Sequence, residues 1–173
     1  DRAKPQFDTI VQRLVAADAQ AVMFIGSGTA VVDGVRALRA AGSRAQLLTL
    51  SNNASSGFIK ALGEHARGVV VSQVLPGERS QGVPLVKEAH DLARTRGAGA
   101  PEITPALLEG FAAAKVLAEG LRRAAASGAL NRAGLQRALE SLKNYDLGGL
   151  DLTFGPNDHT GLEYADLSII GAD

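Results

Sequence analysis

Short apolar runs alternate with amphipathic segments through the first half of the chain. The apolar runs are residues 21–25, 46–50 and 69–74. Such runs, bounded by glycine and polar residues, are typical of buried parallel strands. The segments that precede and separate them place apolar residues three or four positions apart, which predicts helices. These segments are residues 6–17, 29–41 and 56–62. We therefore expect an α/β fold with a parallel sheet flanked by helices.

The pattern changes after Leu75-Pro76-Gly77. Three helical segments follow with no strand between them. The first is Pro84–Arg96, the second is capped by Thr104 and opened by Pro105, and the third is capped by Asn131. Since no local strand covers their apolar faces, we expect the sheet beneath them to come from other sequence.

Two further strands are predicted near the end of the chain. The pair Gly148-Gly149 follows the third helix, and apolar residues at 150, 152 and 154 predict a strand. A turn-rich segment and a last strand, Leu162 to Ile170, come next. A chain of 173 residues is long enough for one sizeable domain or for parts of two.

Composition excludes several classes of function. The 18 basic and 18 acidic residues cancel, and aromatic residues make up only 4% of the chain, so nucleic acid and anionic membranes are not expected as partners. The absence of cysteine excludes disulfides, cysteine-based zinc sites and thiol catalysis. No apolar run approaches the ~20 residues that span a bilayer. The chain begins at Asp1 without a signal peptide, so we expect a processed or truncated N-terminus.

Two polar clusters follow predicted strands, where parallel α/β folds bind ligands. The first is Gly26-Ser27-Gly28-Thr29, at the start of a helix. Free N–H groups and the helix dipole favour a carboxylate or phosphate at such a point. Alternatively, Ser27 or Thr29 simply caps the helix.

The second cluster is Ser51-Asn52-Asn53-Ala54-Ser55-Ser56. Its amides and hydroxyls can bind a small polar ligand. They are also the residues that turns and helix caps prefer. The sequence therefore favours ligand binding and a turn with a helix cap about equally.

Other chemistries find little support in the sequence. The first cluster has Val31 where a dinucleotide fingerprint has its third glycine, and Ser27 lacks the context of a nucleophile elbow. The histidines stand alone, so we expect no metal site, no cofactor and no catalytic residue. The three histidines are His65, His90 and His159. Three glutamates are interpreted as solvated residues on exposed helix faces, and they are Glu109, Glu119 and Glu140.

The order of several segments resembles the substrate-binding proteins of ABC transporters of the leucine/isoleucine/valine-binding type. The sequence EGFAAAKV, for example, is similar to that family's EGYxAAKV helix. The resemblance covers essentially the whole chain, but only the C-terminal half of such a receptor. The segments that carry it are residues 18–26, 68–76, 109–116 and 144–149.

The resemblance implies a type I periplasmic-binding-protein fold with two lobes joined by a hinge. Residues 1–76 would belong to the second lobe, residues 77–153 to the first lobe as mainly helices, and residues 154–173 to the hinge return and last strand of the second lobe. The protein would be exported to the bacterial periplasm. There it would capture an amino acid or related small carboxylic acid between its lobes and deliver it to an ABC permease in the membrane.

The same resemblance implies which residues bind the ligand. They are Ser27, Gly28, Thr29, Ser51, Asn52 and Asn53. The chain departs from the family where it lacks an aromatic residue near Ser27 and has Asn52 in place of an acidic residue. These departures favour a neutral amide, or a carboxylate without an amine such as an aromatic or keto acid. Two alternatives are an effector-sensing domain of a regulator on the same fold and, with less support, an α/β enzyme.

Overall fold

The computed structural model describes residues 5–171 and divides the chain into two compact units. Among these residues, the first unit contains residues 5–73 and 166–171, and the second contains Val74–Ala165. Residues 5–171 form six α-helices and seven strands. The helices are α1 (Phe7–Ala16), α2 (Thr29–Ala40), α3 (Ser56–Leu62), α4 (Pro84–Thr95), α5 (Pro105–Ala126) and α6 (Arg132–Glu140). The strands are β1 (Ala21–Phe24), β2 (Gln46–Leu50), β3 (Val70–Gln73), β4 (Tyr145–Asp146), β5 (Asp151–Gly155), β6 (Asp158–Leu162) and β7 (Asp166–Ile169).

The first unit is built on a four-stranded sheet in the order β1-β2-β3-β7. Strands β1, β2 and β3 are parallel, and β7 pairs antiparallel with β3. Buried Gln73 donates from Nε2 to the Ser168 hydroxyl at 2.6 Å, which joins these two strands. The prediction of a parallel sheet flanked by helices is confirmed, and the helices and strands predicted in residues 6–74 are all present.

Helices α1, α2 and α3 pack on one face of this sheet. Val22 and Leu47 are paired neighbours on β1 and β2, and both are buried in one apolar core with Val35 and Leu38 of α2. The alternate positions on the strands are more open, and Met23 is 46% exposed. Strand side chains alternate between faces, so the core lies on the helical side.

The second unit packs α4, α5 and α6 with a three-stranded antiparallel sheet, β4-β5-β6. Leu147 and Leu152, on and beside these strands, are buried in one core with Leu85, Leu108 and Leu142. Local strands therefore cover part of the apolar faces of these helices, contrary to the expectation from sequence, while Leu92, Leu117 and Leu121 are exposed. No helix within residues 5–171 is both long and apolar enough to cross a bilayer.

The turn-rich segment between the last two predicted strands is itself partly a strand. Asp158–Leu162 forms β6 and pairs with β5 across an irregularity at Thr153 and Gly155. The predicted strand over 162–170 is therefore divided, and only β7 belongs to the first unit. Three of the five residues of β6 are exposed. Its sequence therefore lacks the alternation of apolar and polar residues that would have predicted a strand. As a result, residues 154–165 lie in the second unit.

The loop before β5 is held by the carboxylate of Asp146. Its Oδ1 accepts from the N–H groups of Gly148 and Gly149, at 2.8 and 2.6 Å. The hydrogen bond from Gly148, followed by that from Gly149, lowers the pKa of the Asp146 carboxyl. The carbonyl of Gly148 in turn accepts from Leu85 N at 2.9 Å, which ties the loop to the start of α4. This part of the family resemblance therefore marks a structural turn.

Glu119 is buried in α5, so its interpretation as a solvated helix face is wrong. Its side chain is 7% exposed and pairs with both Arg122 and Arg123, and Arg123 Nε lies 2.6 Å from Oε1. The hydrogen bond from Arg123 lowers the pKa of the Glu119 carboxyl, although burial opposes the shift. The two arginines, one turn further along α5, compensate the charge that the helix buries.

We expect Glu119→Gln to remove a pH-dependent part of the stability. Because the lowered pKa favours the ionised carboxyl in the native state, its stabilisation is present above the ordinary value of 4.5 and disappears as pH falls through the lowered pKa. The variant should be less stable at pH 7, and the difference should shrink in acid. Urea unfolding of the full-length protein at several pH values measures this. Exposed Glu102→Gln serves as the control, and a constant difference would contradict the pairing.

Two glycines of the second unit should respond oppositely to alanine. A Cβ on Gly134, in α6, would overlap the backbone carbonyl of Ala129, whereas a Cβ on Gly110, in α5, would meet open space. Gly134→Ala should destabilise the protein by about 2–3 kcal/mol through overpacking. Gly110→Ala should stabilise it by about 0.5–1 kcal/mol through helix propensity. Urea unfolding compares them, and equal effects would contradict the packing of α6 on this turn.

Candidate functional site

The two predicted polar clusters lie side by side in the structure. Strands β1 and β2 are parallel neighbours, with Phe24 opposite Thr49, so their carboxyl ends meet at the same edge of the sheet. The Gly26–Thr29 cluster follows β1 and opens α2. Residues 51–53 follow β2 as one turn of 3₁₀ helix. The sheet topology therefore brings the six predicted ligand-binding residues together.

Asn53 connects the two strand ends from the inside. It is only 1% exposed. Its Oδ1 accepts from the backbone N–H of Gly28 at 3.1 Å. Its Nδ2 donates to the carbonyl of Gly26 and to the hydroxyl of Thr49, both at 2.9 Å. The Thr49 hydroxyl donates in turn to the carbonyl of Phe24 at 3.2 Å. Both amide hydrogens and the amide oxygen of Asn53 are thus used within the protein.

Asn52 makes a similar link from the solvent side. Its side chain is exposed, and its Nδ2 donates to the same Gly26 carbonyl at 3.1 Å. This bond occupies one hydrogen of the amide group. Asn52 is thus anchored to the β1 loop and still accessible to a ligand.

Helix α2 begins without a side-chain cap. Its N-cap residue is Gly28, whose carbonyl accepts from Val31 and Val32, and no side chain within residues 5–171 caps the first turn. The alternative in which Ser27 or Thr29 caps α2 is therefore wrong. Both residues are exposed, so their hydroxyls are accessible at a helix end that carries positive potential.

Capping occurs instead in the second cluster. Ser55, outside the predicted set, accepts from Phe58 N at 3.2 Å and caps α3. Ser51 is half-buried in the turn that follows β2. The turn-and-cap interpretation of this cluster is thus correct for Ser55, and it leaves Asn52 at the surface.

The site offers neutral hydrogen-bonding groups without a charged side chain among the six predicted residues. Hydroxyls, amides and the first-turn N–H groups of α2 suit an anionic or amide ligand. Within residues 5–171, no group of three or more histidine, aspartate or glutamate side chains could hold a metal ion. Sequence reasoning missed Thr49, whose signal was a polar residue between Leu48 and Leu50 at an inward-facing position of β2.

Comparison with known proteins places this chain in a family. A family model described as "Periplasmic binding protein" matches residues 2–167. The chain belongs to the periplasmic binding protein family. The suspected resemblance is therefore confirmed at the level of the family and its fold. No functionally curated protein matches the chain.

Solved structures show the same fold. An extracellular ligand-binding receptor from Verminephrobacter eiseniae shares 28% identity over 99% of this chain, with a TM-score of 0.80. A substrate-binding periplasmic protein from Ralstonia solanacearum shares 32% identity over 96%, with a TM-score of 0.78. A possible leucine/isoleucine/valine-binding protein from Rhodopirellula baltica shares 32% identity over 89%, with a TM-score of 0.75. The chain covers 47%, 47% and 41% of these proteins, which is about half of their length.

The two glycines of the β1 loop differ in their tolerance of a side chain. Gly28 has φ 60° and ψ −135°, a conformation that L-residues avoid, whereas a Cβ on Gly26 would make only an ordinary contact with Val31. We expect Gly28→Ala to destabilise the protein by about 1–3 kcal/mol. Gly26→Ala should leave stability within about 0.5 kcal/mol of wild type. Thermal unfolding of the full-length variants tests the pair, and a neutral Gly28→Ala would contradict this loop conformation.

Proposed function

We propose that the chain is part of a solute-binding receptor that captures a small molecule between two lobes. The ligand would be a branched-chain or other amino acid, or a related small carboxylic acid. One observation carries the proposal: two adjacent strand ends, cross-linked by Asn52 and Asn53, present exposed hydroxyls beside the uncapped start of α2. Membership of the periplasmic binding protein family supports it.

The start of α2 is the part of this site best suited to a carboxylate. The helix is twelve residues long, and its first-turn N–H groups lie at the positive end of its dipole. The exposed hydroxyls of Ser27 and Thr29 can donate to the same anion. We propose that these groups hold the carboxylate, and that Asn52 contacts a neighbouring polar group of the ligand.

The absence of an acidic side chain among these residues bears on the ligand class. A free ammonium group would have no counter-charge within the set of six, and burying it unpaired would be costly. A neutral amide or a carboxylic acid without an amine fits these residues best. For an α-amino acid, the partner of the ammonium group would have to come from the other lobe.

The two compact units fit the two-lobe arrangement of this family. We assign the first unit to the second lobe and Val74–Ala165 to the first lobe, with crossovers at Gln73–Val74 and Ala165–Asp166. Ligand contacts that are stronger in the closed form would drive closure about these crossovers. The receptor would act in the periplasm without catalysis and pass its ligand to an ABC permease.

Thermal shifts of the full-length protein test this proposal. The panel should contain L-leucine, L-isoleucine, L-valine, their keto acids, benzoate and an uncharged amide. A ligand of the native state at a hundredfold excess over its Kd adds about 2.7 kcal/mol of stability. We expect a clear shift with one chemical class.

Variants then separate binding from folding. We expect Thr29→Ala and Asn52→Ala to weaken binding about tenfold each, because each deletes a group that contacts the ligand. Ser55→Ala is the matched control, since it should cost about 0.5–2 kcal/mol of stability through the cap of α3 and leave affinity unchanged. Absence of a shift with every compound would refute the proposed ligand classes. Unchanged affinity in both site variants would refute the site.

A further inference from the structure

Two of the six predicted ligand-binding residues direct their polar atoms into the protein. Asn53 is 1% exposed, and its amide group is committed to Gly26, Gly28 and Thr49. The N–H of Gly28 is committed to Asn53, so it is not a free donor at the start of α2. The groups left for a ligand are those beyond Gly28, together with the exposed hydroxyls and Asn52.

The bonds of Asn53 fix three groups at once: the Gly26 carbonyl, the Gly28 N–H and the Thr49 hydroxyl. They join the end of β2, through Thr49, to both sides of the β1 loop at the Gly26 carbonyl and the Gly28 N–H. Thr49 extends the link to the Phe24 carbonyl on β1. All of these groups lie in the first unit. A buried amide is stable only when its hydrogen bonds are satisfied, and this one satisfies them through the loop that opens α2.

Apart from the bond that Asn52 donates to the Gly26 carbonyl at 3.1 Å, the conformation of that loop has little other support. Gly28 adopts φ 60°, which is open to glycine but gives no rigidity of its own. No side chain within residues 5–171 caps the helix that follows. The direction of the first-turn N–H groups therefore depends on the hydrogen bonds that hold Gly26 and Gly28.

We propose that Asn53 is a positioning residue that sets ligand affinity without touching the ligand. It holds the Gly26–Gly28 loop so that the start of α2, Ser27 and Thr29 face the ligand in one fixed arrangement. Preorganised groups bind more tightly because they lose less conformational entropy when the ligand binds. This inference rests on the proposed function. Its structural part, that Asn53 holds the Gly26–Gly28 loop, can be measured without any ligand.

The first readout is hydrogen exchange of the Gly28 N–H, followed by NMR in the ligand-free full-length protein. We expect Asn53→Ala to speed this exchange at least tenfold. Leu38→Ala, at a fully buried core position of α2 that takes no part in these hydrogen bonds, is the control for lost stability. It should lower the melting temperature without a selective effect on Gly28.

The second readout is the Kd for one probe, either L-leucine or benzoate, chosen by the larger thermal shift of wild type. Asn53→Ala should raise this Kd at least tenfold, and Leu38→Ala should leave it within twofold. Thr49→Val and Thr49→Ser test the hydrogen bond from Asn53 to the Thr49 hydroxyl with smaller changes to the protein. Valine keeps the shape and loses the hydroxyl, so Kd should rise about threefold to tenfold, and serine should restore it.

The outcomes decide the two proposals separately. Slow exchange at Gly28 in Asn53→Ala would overturn the inference, as would fast exchange with an unchanged Kd or an equal loss of affinity in Leu38→Ala. Failure of wild type to bind either probe, together with the absence of a thermal shift across the whole panel, would count against the proposed function. In that case the Gly28 exchange rates alone would still show whether Asn53 holds the loop.

Discussion

The parallel pairing of β1, β2 and β3 is the constraint on which the first unit depends. Parallel neighbours must be connected by crossovers, and here α2 and α3 make those connections over the buried face of the sheet. The same pairing places every carboxyl end at one edge. Polar clusters that are 25 residues apart in sequence therefore become direct neighbours, as the bond between Gly28 and Asn53 shows.

The pattern of apolar residues was enough to predict the helices and strands of residues 6–74, because these elements are buried on one side. Leu47 and Val71 are buried residues in short apolar runs of the kind that buried strands require. Glycine or polar residues end each run, which marks where the strand ends. The second unit was harder to predict. Strand β6 is an exposed strand whose polar residues carry no alternation, and Glu119 looks like any surface glutamate until Arg122 and Arg123 are seen to pair with it.

The candidate site was likewise predicted only in part from the sequence. Residue type and position after a strand were sufficient to select the clusters, but they could not tell an outward side chain from an inward one. Asn52 and Asn53 are identical in type and adjacent in sequence, yet one is exposed and the other is buried. The difference comes from the 3₁₀ turn that follows β2, since it points successive side chains in different directions.

In the proposed receptor, the two asparagines would have different roles: exposed Asn52 would contact the ligand, and buried Asn53 would hold the loop beside it. Hydroxyls and backbone N–H groups are weaker partners than a charged side chain, so their effect depends on being fixed before the ligand arrives. The buried amide of Asn53 is the group proposed to supply that rigidity, and none of its polar atoms is left unsatisfied. In the proposed receptor, discrimination among small acids would therefore come from the fixed positions of these neutral groups.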